Sequence, residues 1–330
     1  MEDVAARAGV SRALVSIVFR DAPGAGDETH ARVRAAAAEL GYQPDHRARL
    51  LGRSRTGLIG VSFGLRHAFH ADLVEALYAA AEGTGYDLTL GGVTPARSDS
   101  TAVEALVAYR CEALICLGPT LPARRLAEIA ATVPTVTVAA RIRARGVEAV
   151  RTDDVDGVRQ AVTHLIDLGH ERIAHVDGGR APGAADRRRS YRVTMRRAGL
   201  GDRELIVPGG LTEDDGAGAA RLLLERPDLP TGIAAFNDRC AVGLMHALRT
   251  AGRAVPEDIS DVGFDDDRLA ALPHIDLTTV RQDPAELATR ALSRVVQRLA
   301  APAGQELQTG SDLVIPPRLV LRSTTSGPRS

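Results

Sequence analysis

The chain has no lysine and no tryptophan, only three cysteines, and few aromatic residues, 3% in all. Without lysine every fixed cation is a guanidinium, a group suited to bidentate contact with phosphate or carboxylate, although a bias of genomic base composition is the plainer explanation. Cys111, Cys116 and Cys240 are too few for a disulfide framework and lie in apolar stretches, so they read as core residues. No run of about 18 apolar residues offers a membrane span. The start, Met1-Glu2-Asp3-Val4, lacks the basic and apolar stretches of a secretory signal, so a cytoplasmic protein is expected. There is no GxxxxGK[ST] loop and no GxGxxG after a strand, which sets aside nucleotide-dependent chemistry. None of the nine histidines stands in a metal or triad spacing: His164 and His170 flank a helix end, and His67 and His70 share a loop with no carboxylate pair beside them. We therefore expect no enzyme, no cofactor and no metal.

What is present is a chain of 330 residues, 45% hydrophobic and 25% charged with a net charge of -1, long enough for two or three domains with cores of their own. Residues 1 to 56 hold nine arginines against seven acids, a net of +2; the remainder holds 32 arginines against 35 acids, a net of -3. Only the first segment leans basic. From residue 58 onward, strand-like runs at 58 to 63, 86 to 91, 113 to 117, 135 to 140, 172 to 176, 204 to 207, 232 to 236 and 259 to 264 alternate with helical patterns. This order predicts an α/β protein of two doubly wound lobes with parallel sheets, whose ligands sit beyond the carboxyl ends of the strands. The helical pattern of 156 to 168 stops at Gly169, a helix-ending signal.

Residues 1 to 45 carry three short helical patterns and no strand. Val4, Ala5 and Ala8 form one apolar set, and Val10, Leu14, Val15 and Val18 form another, with Gly9 between them. Gly9 permits the turn, Ala5 allows close approach and Ser11 can cap the second helix, which gives helix-turn-helix spacing. A third helix from about 29 to 40, ended by Gly41, would close the core. The outer face of the second helix would present Arg12, Ala13, Ser16 and Ile17 to a major groove, where arginine reads guanine and apolar groups meet the thymine methyl. The alternatives are an ordinary helical hairpin and, for Arg12, a solvated surface charge. The following stretch, 45 to 57, is arginine-rich and marginally helical, a linker that gains structure on meeting an anionic partner.

Glu2-Asp3-Val4-Ala5-Ala6-Arg7-Ala8-Gly9-Val10-Ser11, with Val15-Ser16, Asp27-Glu28-Thr29, Arg32-Val33 and Glu39-Leu40-Gly41-Tyr42-Gln43-Pro44, resembles the headpiece of the lactose-repressor/galactose-repressor family. Leu168-Gly169-His170-Glu171-Arg172-Ile173, Phe236-Asn237-Asp238, Val255-Pro256-Glu257-Asp258-Ile259-Ser260 and Gly263-Phe264-Asp265-Asp266 continue the resemblance, as do Pro316-Pro317-Arg318-Leu319 and Arg322-Ser323-Thr324, to about residue 325. The resemblance implies a regulator, usually a repressor, with operator DNA, a small sugar-like effector and a second copy of itself as partners, and no membrane. It implies a helix-turn-helix domain at 1 to 45, a hinge at 46 to 57 and an effector domain at 58 to 325 like a periplasmic sugar-binding protein. The first lobe would comprise 58 to 153 plus 278 to 302, and the second 154 to 277 plus 303 to 325. In the hinge, Leu51 would wedge between base pairs from the minor groove while Arg49, Arg53 and Arg55 touch phosphates; neighbouring Leu50 would allow a slip of one residue. Ser11 joins the expected DNA contacts.

In the second lobe, Asn237-Asp238 and Asp265-Asp266-Asp267 end strands where ligands gather, though each also precedes a helix and could simply cap it. The resemblance implies effector contacts from Phe69, Arg141, Arg187, Asn237, Asp265 and Gln282, with polar groups on hydroxyls and the aromatic face on a sugar ring. Ala140 stands where sugar binders commonly have Asp, Ser190 where Gly is usual, and residues 64 to 68 lack the usual Asn-Pro, so the ligand need not be a plain sugar. Ile17 replaces a frequent arginine, which points to an unusual operator. A solute-binding protein would share the lobes but not the headpiece. The threonine that usually caps the first helix is missing, so we expect either an upstream start or a headpiece weakened by about 1 kcal/mol. No leucine heptad follows Thr324, so a dimer rather than a tetramer is expected.

Overall fold

The computed structural model describes residues 1–19, 22–42, 55–301 and 312–329. The chain divides into two compact units, Met1–Thr56 and Gly57–Ser330. The hinge assigned to 46 to 57 lies outside the described residues up to 54, and so do Arg49, Leu51 and Arg53.

In the first unit α1 (Glu2–Ala8), α2 (Arg12–Phe19) and α3 (Asp27–Glu39) surround Val4, Val15, Val18 and Val33, all essentially without exposed surface. The turn between α1 and α2 depends on Gly9 at φ 65°, a left-handed conformation that costs glycine little. Ser11 Oγ accepts the N–H of Leu14 at 3.2 Å, satisfying a donor that the first turn of α2 leaves open. Met1, at the N-cap of α1, makes no side-chain cap.

Among its described residues the second unit has two six-stranded sheets. The first comprises β1 (Leu58–Gly64), β2 (Asp87–Val93), β3 (Ala113–Leu117), β4 (Thr135–Val138), β5 (Val147–Thr152) and a late strand, β11 (Asp312–Ile315), in the order β11-β5-β4-β3-β1-β2, all parallel. Helices α4 (Ala68–Ala81), α5 (Asp99–Ala108) and α6 (Ala123–Ala130) cover it, joined by α11 (Pro284–Ala300), whose Leu287, Ala291 and Val295 pack beside Leu73 and Leu77 of α4. The second sheet comprises β6 (Ile173–Asp177), β7 (Leu205–Pro208), β8 (Gly232–Ala235), β9 (Ser260–Asp265), β10 (Thr278–Arg281) and β12 (Arg318–Val320), in the order β12-β10-β9-β8-β6-β7. Among the described residues only the β10–β12 pair of this sheet is antiparallel. Here α7 (Asp154–Asp167) and α8 (Ala184–Arg197) cover one face, and α9 (Glu213–Leu224) and α10 (Asp238–Thr250) the other. Covering both faces explains why the central strands read as unbroken apolar runs. The three cysteines are buried and free.

The lobe boundaries differ from the sequence reading in two places. β10, expected in the first lobe, pairs with β9 through Thr278–Val262 and Val280–Phe264, so it belongs to the second. β11, expected in the second lobe, extends the first sheet through Asp312–Ala149 and Val314–Arg151. An apolar run shows that a strand exists; only backbone pairing decides which sheet receives it. β5, β10, β11 and β12 are not among the strands read from the sequence; in β5, Glu148 and Arg151 break the apolar pattern. Glu148 is nevertheless buried and takes ion pairs from Arg294 and Arg298 of α11.

Candidate DNA-reading face and ligand cleft

On α2, Arg12 and Ala13 are exposed, Ser16 and Ile17 are half-buried, and Val15 and Val18 point into the core. The periodicity of one helix thus separates packing from presentation. Arg12 Nη1 donates to Glu2 Oε1 at 3.0 Å, but both side chains are largely exposed, and such a pair is worth about 0–1 kcal/mol, little hindrance to exchanging the carboxylate for DNA. The hydroxyl of Ser11 is occupied by capping. Arg55 is exposed.

In the receptor unit, loops following β1, β3 and β4 of the first sheet meet loops following β6, β8 and β9 of the second, as the topology of doubly wound sheets dictates. A cavity of about 40 Å³ lies there, and Phe69, Arg187, Asn237, Asp265 and Gln282 all line it. Arg141 does not; it lines a neighbouring cavity of about 640 Å³ with Pro119, Thr120, Arg180 and Asp186. The inner volume suits about one water, whose share of liquid is ~30 Å³, so the two lobes stand close together at this point. Two contacts between them agree: Arg239 of α10 donates to the carbonyl of Arg66 at 2.7 Å, and Arg268 pairs with Asp72 at 3.4 Å and with Glu75.

Arg187 is the most constrained residue of the inner site. Its Nε donates to Asp154 Oδ1 at 2.8 Å, Nη1 donates to the Phe236 carbonyl, and its guanidinium carbon lies 3.5 Å from the centre of the Phe264 ring and 4.6 Å from that of Phe236. Pairing and stacking together compensate the burial of a charge that would otherwise be costly. Asp265, at φ 120°, accepts from Gln282 Nε2 at 2.7 Å. Burial raises its pKa to about 7 against the opposing influence of Arg187 and Gln282. Its left-handed backbone is an unfavourable conformation for aspartate, of the kind retained where function or packing demands it.

The acidic runs sort themselves by partner. Asn237 caps α10, accepting from Cys240 N at 2.9 Å and donating to the Leu211 carbonyl at 3.1 Å, so its amide already serves the backbone. Asp238 is buried, accepts from Thr279 Oγ1 and from Asp267 N, and so ties α10 to β10. Asp266 accepts from Arg322 Nη2 at 2.6 Å, and Asp267 caps the turn at Leu269 and Ala270. Of these acids, Asp265 alone lines the inner cavity. Phe69 lines it too, but is 5% exposed and packed into the core of the first lobe.

His67 and His70 were not expected in the site. They stack at 4.4 Å and line the inner cavity. His70 Nδ1 accepts the Gly64 N–H at 3.0 Å, which leaves Nε2 as the protonated nitrogen of the neutral ring. Burial, then nearby Arg187 and Arg239, lowers the His67 pKa; burial, then His67, lowers that of His70 well below the usual range. The available signal was a pair of histidines three apart at the end of a strand that already pointed to the cleft. Among the described residues no three His, Cys, Asp or Glu side chains group as a metal site, and no helix is long and apolar enough to cross a membrane.

A two-lobed α/β receptor with a polar cleft, following a helix-turn-helix unit in the chain, is the plan of a ligand-responsive bacterial regulator. Residues 1–45 match the model of bacterial regulatory proteins, lacI family, and residues 162–325 that of a periplasmic binding protein-like domain. The HTH-type transcriptional regulator GalR of Salmonella typhimurium is 32% identical over 99% of this chain and 96% of its own length. The ribose operon repressor of Escherichia coli is 32% identical over 93% of this chain and 94% of its own. The chain belongs to the lacI family of bacterial regulatory proteins. Among solved structures, a LacI transcriptional regulator from Rhodococcus species superposes with a TM-score of 0.78 at 46% identity over 82% of this chain and 98% of that one. The lac repressor dimer bound to operator and the anti-inducer ONPF gives 0.80 at 28% identity over 98% of both chains.

Proposed function

We propose that the protein is a sequence-specific DNA-binding transcriptional regulator, a repressor acting as a homodimer, whose operator affinity is set by a small sugar-like effector in the inter-lobe cleft. The observation that carries this reading is the union, in one chain, of a headpiece with an exposed Arg12-Ala13 face and a receptor in which Arg187, Asp265 and Gln282 of the second lobe face His67 and Phe69 of the first around one cavity. Relatives supply precedents: the lac repressor is seen as an operator-bound dimer, and the regulator CelR in complex with cellobiose, at 28% identity and a TM-score of 0.71 over 98% of both chains.

Ser11, Arg12, Ala13, Ser16 and Ile17 would face the major groove, and Arg49, Leu51, Arg53 and Arg55 would serve the hinge. Phe69, Arg187, Asn237, Asp265 and Gln282 would surround the effector, with Arg141 at its outer edge. Control requires only that effector bind one arrangement of the lobes more tightly than the other. A tenfold change in operator affinity needs about 1.4 kcal/mol of such preference. Footprinting of the full chain on DNA from its own upstream region, repeated with a panel of sugars, tests the reading. A discrete protected site, lost in Arg12→Ala and altered by one sugar, is expected. Uniform protection of all DNA that no sugar changes would overturn it.

A further inference from the structure

We infer that the effector carries an acid group, carboxylate or phosphate, held in the outer cavity between Arg141 and Arg180. This rests on the reading of the cleft as an effector site and names the ligand's chemistry. Arg141 follows β4 in the first lobe, Arg180 follows β6 in the second, and both line the same cavity of about 640 Å³. It adjoins the inner site, sharing Pro182 with it.

The charge at this mouth is unbalanced. Arg141 has two carboxylates in reach, Asp186 and Asp312, each 3.9 Å away and beyond hydrogen-bonding distance. Both are committed to nearer partners: Asp186 accepts from Arg189 at 2.8 Å and Asp312 from Arg151 at 3.3 Å. Arg141 donates no hydrogen bond among the described residues, although 38% of its side chain is exposed to the cavity or solvent. Arg180 is exposed and has no ion-pair partner among the described residues. The loop that carries Arg141 adds Arg143 and Arg145 and contains no acid from 139 to 146.

The uncharged part of the wall, Pro119, Ala140, Ile142 and Pro182, provides no aromatic ring against which a sugar face could stack. Its charged lining is two guanidiniums against one carboxylate, Asp186, which is already paired with Arg189. Across the lobes, among the described residues, Arg141 meets only the distant Asp186, at 3.9 Å, and an oxyanion accepting from Arg141 of the first lobe and Arg180 of the second would supply a closer, charge-assisted link between them. An acidic ligand would thus favour the closed arrangement, the preference that control of DNA binding requires.

Calorimetry on the full chain with D-glucose, D-glucuronate, D-glucose 6-phosphate and inorganic phosphate tests the inference, with operator binding followed in parallel. We expect at least one of the two acidic sugars to bind tenfold or more tighter than D-glucose, and Arg180→Gln and Arg141→Gln each to weaken it at least tenfold. Tighter D-glucuronate would identify a carboxylate ligand and tighter D-glucose 6-phosphate a phosphate. Inorganic phosphate should raise Tm above a chloride control of equal ionic strength in the wild type, and not in Arg180→Gln. D-glucose binding as tightly as both acidic sugars and changing operator affinity would overturn the acid group and leave the effector reading standing. Phosphate stabilising wild type and Arg180→Gln alike would overturn it as well. Acid binding that requires Arg180 but never alters operator affinity would uphold the acid site and overturn the effector reading.

Discussion

Replacing Asp265 by asparagine should stabilise the receptor while impairing its response. The unfolded chain releases this proton near pH 3.9, whereas burial holds it in the folded state to about pH 7. Below about pH 4 both states are protonated and the side chain costs nothing. Between about pH 4 and 7 the unfolded state has given up a proton that the folded state keeps, so stability falls as pH rises; above about pH 7 both are ionised and the penalty levels off. Three units correspond to about 4 kcal/mol at most, and water reaching the cleft edge reduces this to an expected ~2–4 kcal/mol at pH 8. The asparagine side chain would preserve the oxygen that accepts from Gln282 Nε2. Thermal unfolding at pH 5 and pH 8 measures the effect: at about 2 °C per kcal/mol for a large domain, the variant should melt ~5 °C above wild type at pH 8, with a smaller gap at pH 5. Effector affinity should fall about tenfold, because an amide replaces a carboxylate acceptor. Parallel melting curves at both pH values would refute the reasoning.

Three further substitutions follow from packing and pairing. Asp261, on β9, is fully buried with no partner for either carboxylate oxygen among the described residues, and burial raises its pKa well above the usual range. Asp261→Val should add about 1–3 kcal/mol of stability at pH 7 in urea denaturation; a loss would mean that the carboxyl is satisfied by water. A Cβ at Gly243 would lie 1.9 Å from the Glu213 carbonyl oxygen, where α9 and α10 touch, so Gly243→Ala should cost about 3 kcal/mol or more; an unchanged urea midpoint would contradict that packing. Arg187→Met should cost about 3–5 kcal/mol by leaving Asp154 buried and unpaired, and adding Asp154→Asn should recover part of it; no recovery in the double variant would mean that stacking on Phe264, not charge, was lost.

The headpiece was legible because its constraints are local: Gly9 must turn, Ser11 must cap, and Val4, Val15 and Val18 must face inward within about twenty residues. The alternation of strands and helices was legible for the same reason. The assignment of β10 and β11 to their sheets was not, since pairing partners lie far away in sequence, and β5 was hidden by Glu148, whose burial makes sense only once Arg294 of α11 is beside it. Phe69, Arg187, Asn237, Asp265 and Gln282, named from family resemblance, line the inner cavity, whereas Arg141 stands at the outer one; the capping role of Asn237 is the alternative its place before a helix had left open. His67 and His70 were missed because stacking and burial give them their place, and neither leaves a spacing that metal or catalytic chemistry would recognise.

The central claim is that cleft and headpiece are coupled through one equilibrium. Coupling between two binding sites is reciprocal, so an effector that changes operator affinity by some factor must have its own affinity changed by operator DNA to the same extent. Calorimetric titration of the effector into the full-length protein, free and saturated with operator, measures this directly. The account predicts two effector affinities whose ratio equals the ratio of operator affinities with and without effector; the same effector affinity in both titrations, alongside intact DNA binding, would contradict it.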